Sequence, residues 1–420
     1  MAQAFFNLGD FDGALQSCTE VLKYQNEPVN MIRYAKTLYS LRSIRHLRPF
    51  SSAVEPQTVE TIESAHFRTN VENPVDHDIQ HEGHFYRIPD PLKKQLFTYG
   101  GLPKTYHTLS TTLNELCLMV RRPAVEVISY LRQSNFDAPA AKYLLYGKTG
   151  TGKSLSLAHI LHYGSVSGFV LIHVPWVPNW YRRFKEISPS SVNPEKFDHP
   201  IESVEWLRHF FLQNESLLTS LNLKTSKEYV WSKREITSEG VPLKELIDLG
   251  LNRGKYASGC IAALLEELKK AAIGNRCRVL VVIDGYNGFF IPNTRAKRED
   301  KSIISVSEFI LTDAFLSITR NDWNNGAIVV SVDSSAGPLE LRDSYLPRYL
   351  LGKEGFQHLD PFVPIEVFNY NEKEMYSQID YYVERNWLQQ PKARTEKGRA
   401  ELSCTSGNNP YTLMTLVAPY

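Results

Sequence analysis

The chain has 420 residues, of which 42% are hydrophobic and 22% charged, a composition typical of a folded protein with a sizeable core. Its 47 basic and 46 acidic side chains exclude a protein that coats nucleic acid through a broad positive face. The five cysteines show no C-x-x-C spacing, which argues against a zinc site or disulfide framework and favours a reducing compartment, and no apolar run is long enough to span a membrane.

The first 30 residues resemble one helical hairpin of the tetratricopeptide type. Small and apolar residues between Leu8 and Pro28 have the spacing of the packing positions of that repeat. A single repeat cannot bury its own apolar face, so an interaction adaptor built from such repeats is the weakest function that this chain suggests.

Residues 31–53 have the composition of a mitochondrial transit peptide, because they are rich in arginine, contain serine and lack acidic residues. Since such a peptide is normally terminal, we expect translation to start at Met31 and residues 1–30 to be an alternative or spurious extension. The segment RPFSSA predicts processing after Arg48, near Ser51. The alternative is a basic surface helix that follows a genuine repeat. Without the first 50 residues the chain carries 41 basic and 42 acidic side chains.

The next segments differ in hydrophobic pattern. Residues 54–108 are polar with few periodic apolar positions, which predicts an extended arm that packs on another surface. Leu109–Asn135 predicts a helix. Residues 109–370 are predicted to form a nucleotide-binding domain, with an insertion rich in aromatic residues at 175–251.

A short apolar strand runs directly into GKTGTGKS, a complete G-x-x-x-x-G-K-[ST] phosphate loop. Its glycines let backbone N–H groups converge on an anion at the start of the following helix. We expect Lys153 to reach the β and γ phosphates and Ser154 to bind Mg²⁺. The alternative is a glycine-rich turn without a ligand. The predicted phosphate-binding residues are Gly147, Lys148, Thr149, Gly150, Thr151, Gly152, Lys153 and Ser154.

The run RVLVVID predicts a buried parallel strand that ends in a carboxylate, at the sheet edge where ligands bind. Asp284 is therefore the second predicted magnesium ligand, beside Ser154. Many ATP-hydrolysing proteins of this kind have an acidic residue next, which polarises the attacking water, but here Gly285 follows. We expect weak hydrolysis or none. The motifs do not identify the base.

Further strand and helix patterns complete the domain. A strand that ends in SVDSS places Ser331 and Asp333 where a residue that senses the phosphate is expected, although a plain strand end is an equal alternative. Arg342 and Arg348 are the candidates for an arginine finger. Residues 371–420 predict a small helical lid. The alternation predicts an α/β fold, a three-layer P-loop NTPase sandwich of AAA+ or STAND type, with an extended N-terminal arm and a C-terminal helical lid.

Four segments together resemble one family: YGKTGTGKS, VPWVPNWY, RVLVVIDGYNGFF and GNNP. They are similar to the P-loop GTP-binding proteins of the mitochondrial small ribosomal subunit, the death-associated protein family. The resemblance covers Phe67–Pro419 and is specific, because VPWVPNW and DGYNG are not general features of P-loop proteins.

The resemblance implies a structural role in the head of the mitochondrial small ribosomal subunit, in the matrix, and the family name adds a link to apoptosis. It implies GTP or GDP, with ATP as the alternative, bound with Mg²⁺ as a structural ligand. Gly147 to Ser154 would hold the phosphates, and Ser154 and Asp284 the metal. The implied partners are small-subunit ribosomal proteins and a local stretch of ribosomal RNA.

Two basic runs are candidates for that RNA contact, although both include acidic residues and a solvated loop is the favoured interpretation. They consist of Arg295, Lys297, Arg298 and Lys301, and of Lys392, Arg394, Lys397 and Arg399.

A function of a different class is an active AAA+ or STAND NTPase switch. The intact Lys153 and Asp284 favour it, and Gly285 opposes it.

Overall fold

The computed structural model of the protein describes residues 67–292, 294–338 and 343–418. The predicted repeat, the transit peptide, the first part of the arm and Arg342 lie outside these ranges. The strands are β1 (Phe85–Ile88), β2 (Leu116–Met119), β3 (Ala141–Tyr146), β4 (Phe169–Val174), β5 (Ser188–Pro189), β6 (Phe197–Asp198), β7 (Tyr229–Val230), β8 (Ile236–Thr237), β9 (Arg278–Ile283), β10 (Gly326–Ser331) and β11 (Val363–Glu366). The helices are α1 (Asp90–Phe97), α2 (Lys104–Thr112), α3 (Arg122–Gln133), α4 (Lys153–Val166), α5 (Pro178–Arg182), α6 (Pro200–Leu221), α7 (Leu243–Asn252), α8 (Ala257–Ile273), α9 (Ile310–Ile318), α10 (Pro347–Leu359), α11 (Glu372–Glu384), α12 (Glu396–Ser406) and α13 (Pro410–Val417).

Five strands form a parallel sheet in the order β11-β3-β10-β9-β4. This confirms the predicted α/β fold, including the strand before the phosphate loop, the RVLVVID strand and the strand that ends in SVDSS. The connection that follows β3 leads towards β4 at one edge, whereas the last connection returns to β11 at the other. Such a reversal opens a crevice at the carboxyl ends of the central strands, and β3, β10 and β9 all end there.

Successive side chains of the central strands enter two different hydrophobic clusters, as the two-residue period of a strand requires. In β9, Val279, Val281 and Ile283 pack with α6 to α9 on one face. Leu280 and Val282 pack with α3 and α4 on the other. The sheet is therefore covered on both faces, which explains its continuous apolar strands and gives three layers.

Strand β4 lies at one edge of the sheet, and one side chain of the predicted insertion forms hydrogen bonds with its backbone. Asn214 on α6 accepts a hydrogen bond from Leu171 N at 2.7 Å and donates one to Leu171 O at 2.9 Å. The amide thus pairs with Leu171 as a neighbouring strand would, and it satisfies the backbone groups of this residue at the sheet edge. Trp206 and Phe210 of the same helix are buried, so α6 belongs to the core.

The predicted helix over Leu109–Asn135 is wrong in its middle part. Helix α2 ends at Thr112, Asn114 has a positive φ of 52°, and β2 then pairs antiparallel with β1 before α3 starts at Arg122. The apolar residues of β2 are compatible with both helical and strand periods, and only pairing with β1 decides between them.

The structure does not confirm an extended arm over residues 67–108. This range contains β1, α1 and α2, and Tyr86, Ile88 and Leu96 are buried in the cluster under the sheet. The few apolar residues that anchor these short elements lie among many polar surface residues, so the sequence shows no clear hydrophobic period in this range.

The C-terminal part of the chain contains the helices α11, α12 and α13, but the structure does not confirm the predicted separate lid. Buried residues of α11 and α13, among them Ile379 and Leu413, share a hydrophobic cluster with Phe85 of β1 and Leu109 of α2. The C-terminal helices are therefore packed against the N-terminal part of the described chain. In the described part of the chain, none of the helices combines the length and apolar character needed to cross a bilayer.

Candidate nucleotide-binding site

The phosphate-loop motif lies between β3 and α4, at the carboxyl edge of the sheet. Gly147 has φ 147°, and a Cβ at this position would lie 2.4 Å from the carbonyl oxygen of Val367. Only glycine therefore allows the loop to pass so close to the chain that follows β11. Helix α4 begins at Lys153, directly after Gly152 in the left-handed conformation. The first N–H groups of α4 thus face the loop, an arrangement suited to binding an anion.

Lys153 is buried, and its ammonium group contacts three oxygen atoms. It donates to the carbonyl oxygens of Gly147 and Lys148, each at 2.8 Å, and forms an ion pair with Asp333 Oδ2 at 2.7 Å. These contacts hold the amine inside the ring of the loop. This is the position from which a lysine can reach phosphate oxygens bound by the loop.

The two predicted magnesium ligands are in direct contact. Ser154 Oγ donates to Asp284 Oδ2 at 2.5 Å, and Ser331 Oγ donates to the other carboxylate oxygen. Burial raises the pKa of Asp284, while the hydroxyls of Ser154 and Ser331 act in the opposite direction. The structure thus brings together a serine hydroxyl at the amino end of α4 and a carboxylate at the carboxyl end of β9. Oxygen donors of this kind suit Mg²⁺.

Asp333 follows β10, between the phosphate loop and Asp284. Its Oδ1 accepts hydrogen bonds from Thr149 Oγ1 at 3.2 Å and from Ser335 N at 2.8 Å, in addition to the ion pair of Oδ2 with Lys153. Burial by itself would raise the pKa of Asp333, but the Lys153 ammonium and the Ser335 donors outweigh it and lower this pKa. The carboxyl group is therefore ionised at neutral pH. Ser331 and Asp333, the two predicted sensor residues, both lie at the site.

Trp176 lies against Gly285, the residue that follows Asp284 at the end of β9, and this contact explains the glycine. Gly285 has φ 71°, and a Cβ would lie 2.8 Å from Trp176 Cζ3 and 3.1 Å from Pro178 Cδ. The backbone is joined as well, because Val177 N donates to Asp284 O at 3.1 Å. The VPWVPNW and DGYNG segments thus pack on one another, and an acidic side chain at position 285 has no room.

Residues 118–416 match the family described as Mitochondrial ribosomal death-associated protein 3. The chain belongs to this family. Membership confirms the predicted death-associated protein family and the predicted location of this protein in the mitochondrion.

Two mammalian relatives are similar over most of their length. The chain is 41% identical to the Small ribosomal subunit protein mS29 of Mus musculus over 366 residues, which cover 87% of this chain and 91% of that protein. It is 42% identical to the Bos taurus protein of the same name, over 84% of this chain and 87% of the relative. Among solved structures, the Aeropyrum pernix ORC2 protein gives a TM-score of 0.27 at 12% identity, over 70% of this chain and 65% of that one.

The C-terminal helices contact the phosphate loop through residues that the sequence did not single out for this role. Asn409, the N-cap of α13, donates to Thr149 O at 3.1 Å, and Tyr411 N donates to Gly150 O at 3.1 Å. The GNNP motif was visible in the sequence, but its contact partner lies about 260 residues earlier. Because asparagine is favoured at helix N-caps, the sequence could have identified Asn409 as the cap of a helix, but it could not have shown that Asn409 contacts the phosphate loop.

Arg121 is a second residue that sequence reasoning missed. Its buried guanidinium donates to Thr151 O in the loop, to Phe368 O after β11, and to both carboxylate oxygens of Glu374 in α11 at 2.9 and 3.1 Å. One side chain therefore connects the loop, the sheet and the C-terminal helices. Paired, bidentate geometry is what makes a buried arginine stable in such a place.

Of the two arginine-finger candidates, the structure describes Arg348 but not Arg342. Arg342 lies outside the described residues, and Arg348 is exposed on the first turn of α10. Instead Arg182, at the end of α5, donates to Ser335 O at 2.8 Å and to Ala336 O, so it holds the segment that follows Asp333.

In each of the two basic runs considered for RNA, one arginine is paired with a carboxylate of the protein. Arg298 is paired with Glu308, and Arg399 is paired with Asp380 at 2.5 Å. Lys392 and Arg394 are exposed around the short helical turn Pro391–Arg394. The first run has exposed cations as well, at Arg295, Lys297 and Lys301.

Proposed function

We propose that this protein is a structural component of the mitochondrial small ribosomal subunit and that it holds a guanine nucleotide with Mg²⁺ as a fixed ligand. Family membership and the identity to two proteins named for the small ribosomal subunit support the ribosomal part. Other small-subunit proteins are its partners, and the exposed Lys392 and Arg394 offer a local contact for ribosomal RNA phosphates.

The observation that carries the nucleotide is the loop geometry around Lys153. A side chain at Gly147 or Gly150 would clash with neighbouring residues, α4 directs its first N–H groups towards the loop, and Lys153 contacts the loop carbonyls. A phosphate group would be held by the loop N–H groups and Lys153, and the metal by Ser154 and Asp284. The Mg²⁺ would neutralise charge on the phosphate oxygens.

We infer that turnover is weak or absent, because position 285 cannot carry the carboxylate that would polarise water. The contact between Gly285 and Trp176 supports this view. A ligand bound only by the folded state stabilises it by about 4 kcal/mol at a thousandfold excess over Kd, without any hydrolysis. The nucleotide would then act in folding and assembly.

An active AAA+ or STAND switch is the second candidate, favoured by the direct contact of Ser154 with Asp284. This contact preserves the metal site that hydrolysis would need. The candidates differ in the fate of the nucleotide: a structural ligand stays bound, and a switch releases its product.

Sedimentation of a mitochondrial extract on a sucrose gradient tests the proposal, with the protein located by mass spectrometry and its bound nucleotide identified after extraction. We expect co-migration with the small ribosomal subunit, guanine nucleotide in the same fraction and an amino terminus near Ser51. Migration as a free species with adenine nucleotide would support the switch. An amino terminus upstream of Met31 in the organelle would exclude the proposed start at that residue.

A further inference from the structure

Asp333 is a buried, ionised carboxylate bound to the same lysine that the proposed phosphate site needs. Lys153 is the cation in contact with it, at 2.7 Å. On its other oxygen, Asp333 is held by Thr149 of the loop and by Ser335. Its position is further secured because Asn287 exchanges two hydrogen bonds with its backbone, at 3.0 and 3.1 Å. The carboxylate is therefore fixed, and it cannot swing away without breaking several contacts.

A terminal phosphate that contacts Lys153 approaches this carboxylate. The third phosphate of a triphosphate is the one that extends from the loop towards the ends of the neighbouring strands, where Asp284 and Asp333 lie. Like charges a few ångströms apart in a buried site repel strongly. The charge of Asp284 would be offset by the metal that it would bind with Ser154, whereas the charge of Asp333 is offset by its ion pair with Lys153. A phosphate that takes Lys153 removes this compensation.

We propose that Asp333 determines how many phosphates the site accepts, by competing with the terminal phosphate for Lys153 and so disfavouring a nucleoside triphosphate relative to a diphosphate. This inference rests on the proposed nucleotide-binding function. It assigns to Asp333 a specificity role, in contrast to the sensing role that its place after β10 suggests. A neutral side chain of the same shape keeps the acceptor for Thr149 and Ser335 and removes the repulsion.

Calorimetric titration of the protein with GDP and with the non-hydrolysable GTP analogue GMPPNP, both with Mg²⁺, tests this role. We expect wild type to bind GDP more tightly than GMPPNP. Asp333→Asn should shift the ratio of the two dissociation constants at least tenfold in favour of GMPPNP. Asp333→Ser serves as the second variant if the first folds poorly. Asp322→Asn is the matched control, because it removes an exposed carboxylate paired with Lys269 and should leave the ratio unchanged.

The outcomes separate the inference from the function on which it rests. Wild type that binds GMPPNP tenfold more tightly than GDP overturns the inference, and so does an Asp333→Asn variant whose ratio stays that of wild type. Failure of wild type to bind either guanine nucleotide, while ADP binds, replaces the guanine part of the function, and the same ratio is then measured with ADP and AMPPNP. Failure of all four to bind overturns both proposals.

Discussion

Lys153 shows how one residue joins the loop, the predicted metal site and the end of β10. Its ammonium group binds two loop carbonyls and Asp333, while the next residue, Ser154, binds Asp284. The motif itself predicts that Lys153 lies close to the loop, since loop and lysine are contiguous in the chain. The ion pair of Lys153 with Asp333 depends on β10 lying beside β3, which no local pattern encodes.

Lys153→Ala should abolish the stabilisation by nucleotide and lower incorporation into the ribosome, without removing a catalytic rate. The lysine supplies charge-assisted hydrogen bonds worth about 1.5–3 kcal/mol each, so binding should weaken by about a hundredfold. The melting temperature, measured with and without GDP and Mg²⁺, should rise on ligand addition in wild type only. Lys269→Ala, which breaks an ion pair with Asp322, is the control. Rapid GTP turnover by wild type, with normal assembly of Lys153→Ala, would contradict this.

Gly285→Ala should destabilise the protein by more than the backbone conformation alone explains. A residue other than glycine at φ 71° costs about 1–2 kcal/mol, and the clash with Trp176 adds about 1–3 kcal/mol. Gly240→Ala is a matched control, because Gly240 has φ 80° and nothing within 4 Å of an added Cβ. Urea unfolding of both variants measures the difference. Equal losses would show that Trp176 does not restrict position 285.

At the scale of elements, the C-terminal helices are part of the loop's immediate surroundings. Helix α13 contacts Thr149 and Gly150 through its N-cap and first turn, and α11 is tied to Thr151 through Glu374 and Arg121. The carbonyl groups of Thr149 and Gly150 are thus bound by α13, and that of Thr151 is bound by Arg121, which is itself paired with Glu374 of α11. The loop conformation depends on this packing as well as on its glycines.

Asn409→Ala should therefore affect both stability and nucleotide affinity. Loss of the cap of α13 costs about 1 kcal/mol, and loss of the bond to Thr149 O should weaken GDP binding by about fivefold. Thr395→Ala is the matched control, since Thr395 caps α12 and does not touch the loop. Both variants should lose similar stability in urea, while calorimetry should show weaker binding for Asn409→Ala alone. Equal dissociation constants for the two would separate α13 from the site.

At the scale of the whole molecule, histidines are buried in several parts of the core. Burial lowers the pKa of His162 and of His199 to about 4, and that of His209 to about 3. His162 lies against Tyr86 under the sheet, whereas His209 of α6 contacts His173 of β4. Asp198 acts in the opposite direction, because burial raises its pKa to about 6.

Stability should therefore fall as the pH drops from about 6.5 towards 4. In this window the unfolded chain binds protons at these histidines and the folded chain does not, so each costs up to about 1.4 kcal/mol per pH unit. Asp198 offsets part of the loss, since the folded state takes up its proton first. His162→Gln should reduce the slope of the unfolding free energy against pH, obtained from urea unfolding, by up to about 1.4 kcal/mol per pH unit, and His107→Gln, on the exposed face of α2, is the control. A midpoint that does not change from pH 7 to pH 4.5 would refute this.

Much of the sheet could be predicted from the sequence because its strands are buried on both faces. Their apolar runs, such as Val279–Ile283, leave little choice of structure, and each is followed by a helix. The helix predicted over 109–135 failed for the converse reason. Strand β2 is only four residues long and exists through pairing with β1, which was itself hidden in a polar segment.

The sequence by itself determined the phosphate loop, the carboxylate at the end of β9 and the family, because each is carried by contiguous residues whose backbone geometry is local. Only the tertiary structure decided what surrounds them: Trp176 against Gly285, Asp333 on Lys153, and Arg121 and Asn409 on the loop carbonyls. These contacts join residues that are about 30 to 260 positions apart. Their existence depends on the order of strands in the sheet, which spacing along the chain does not express.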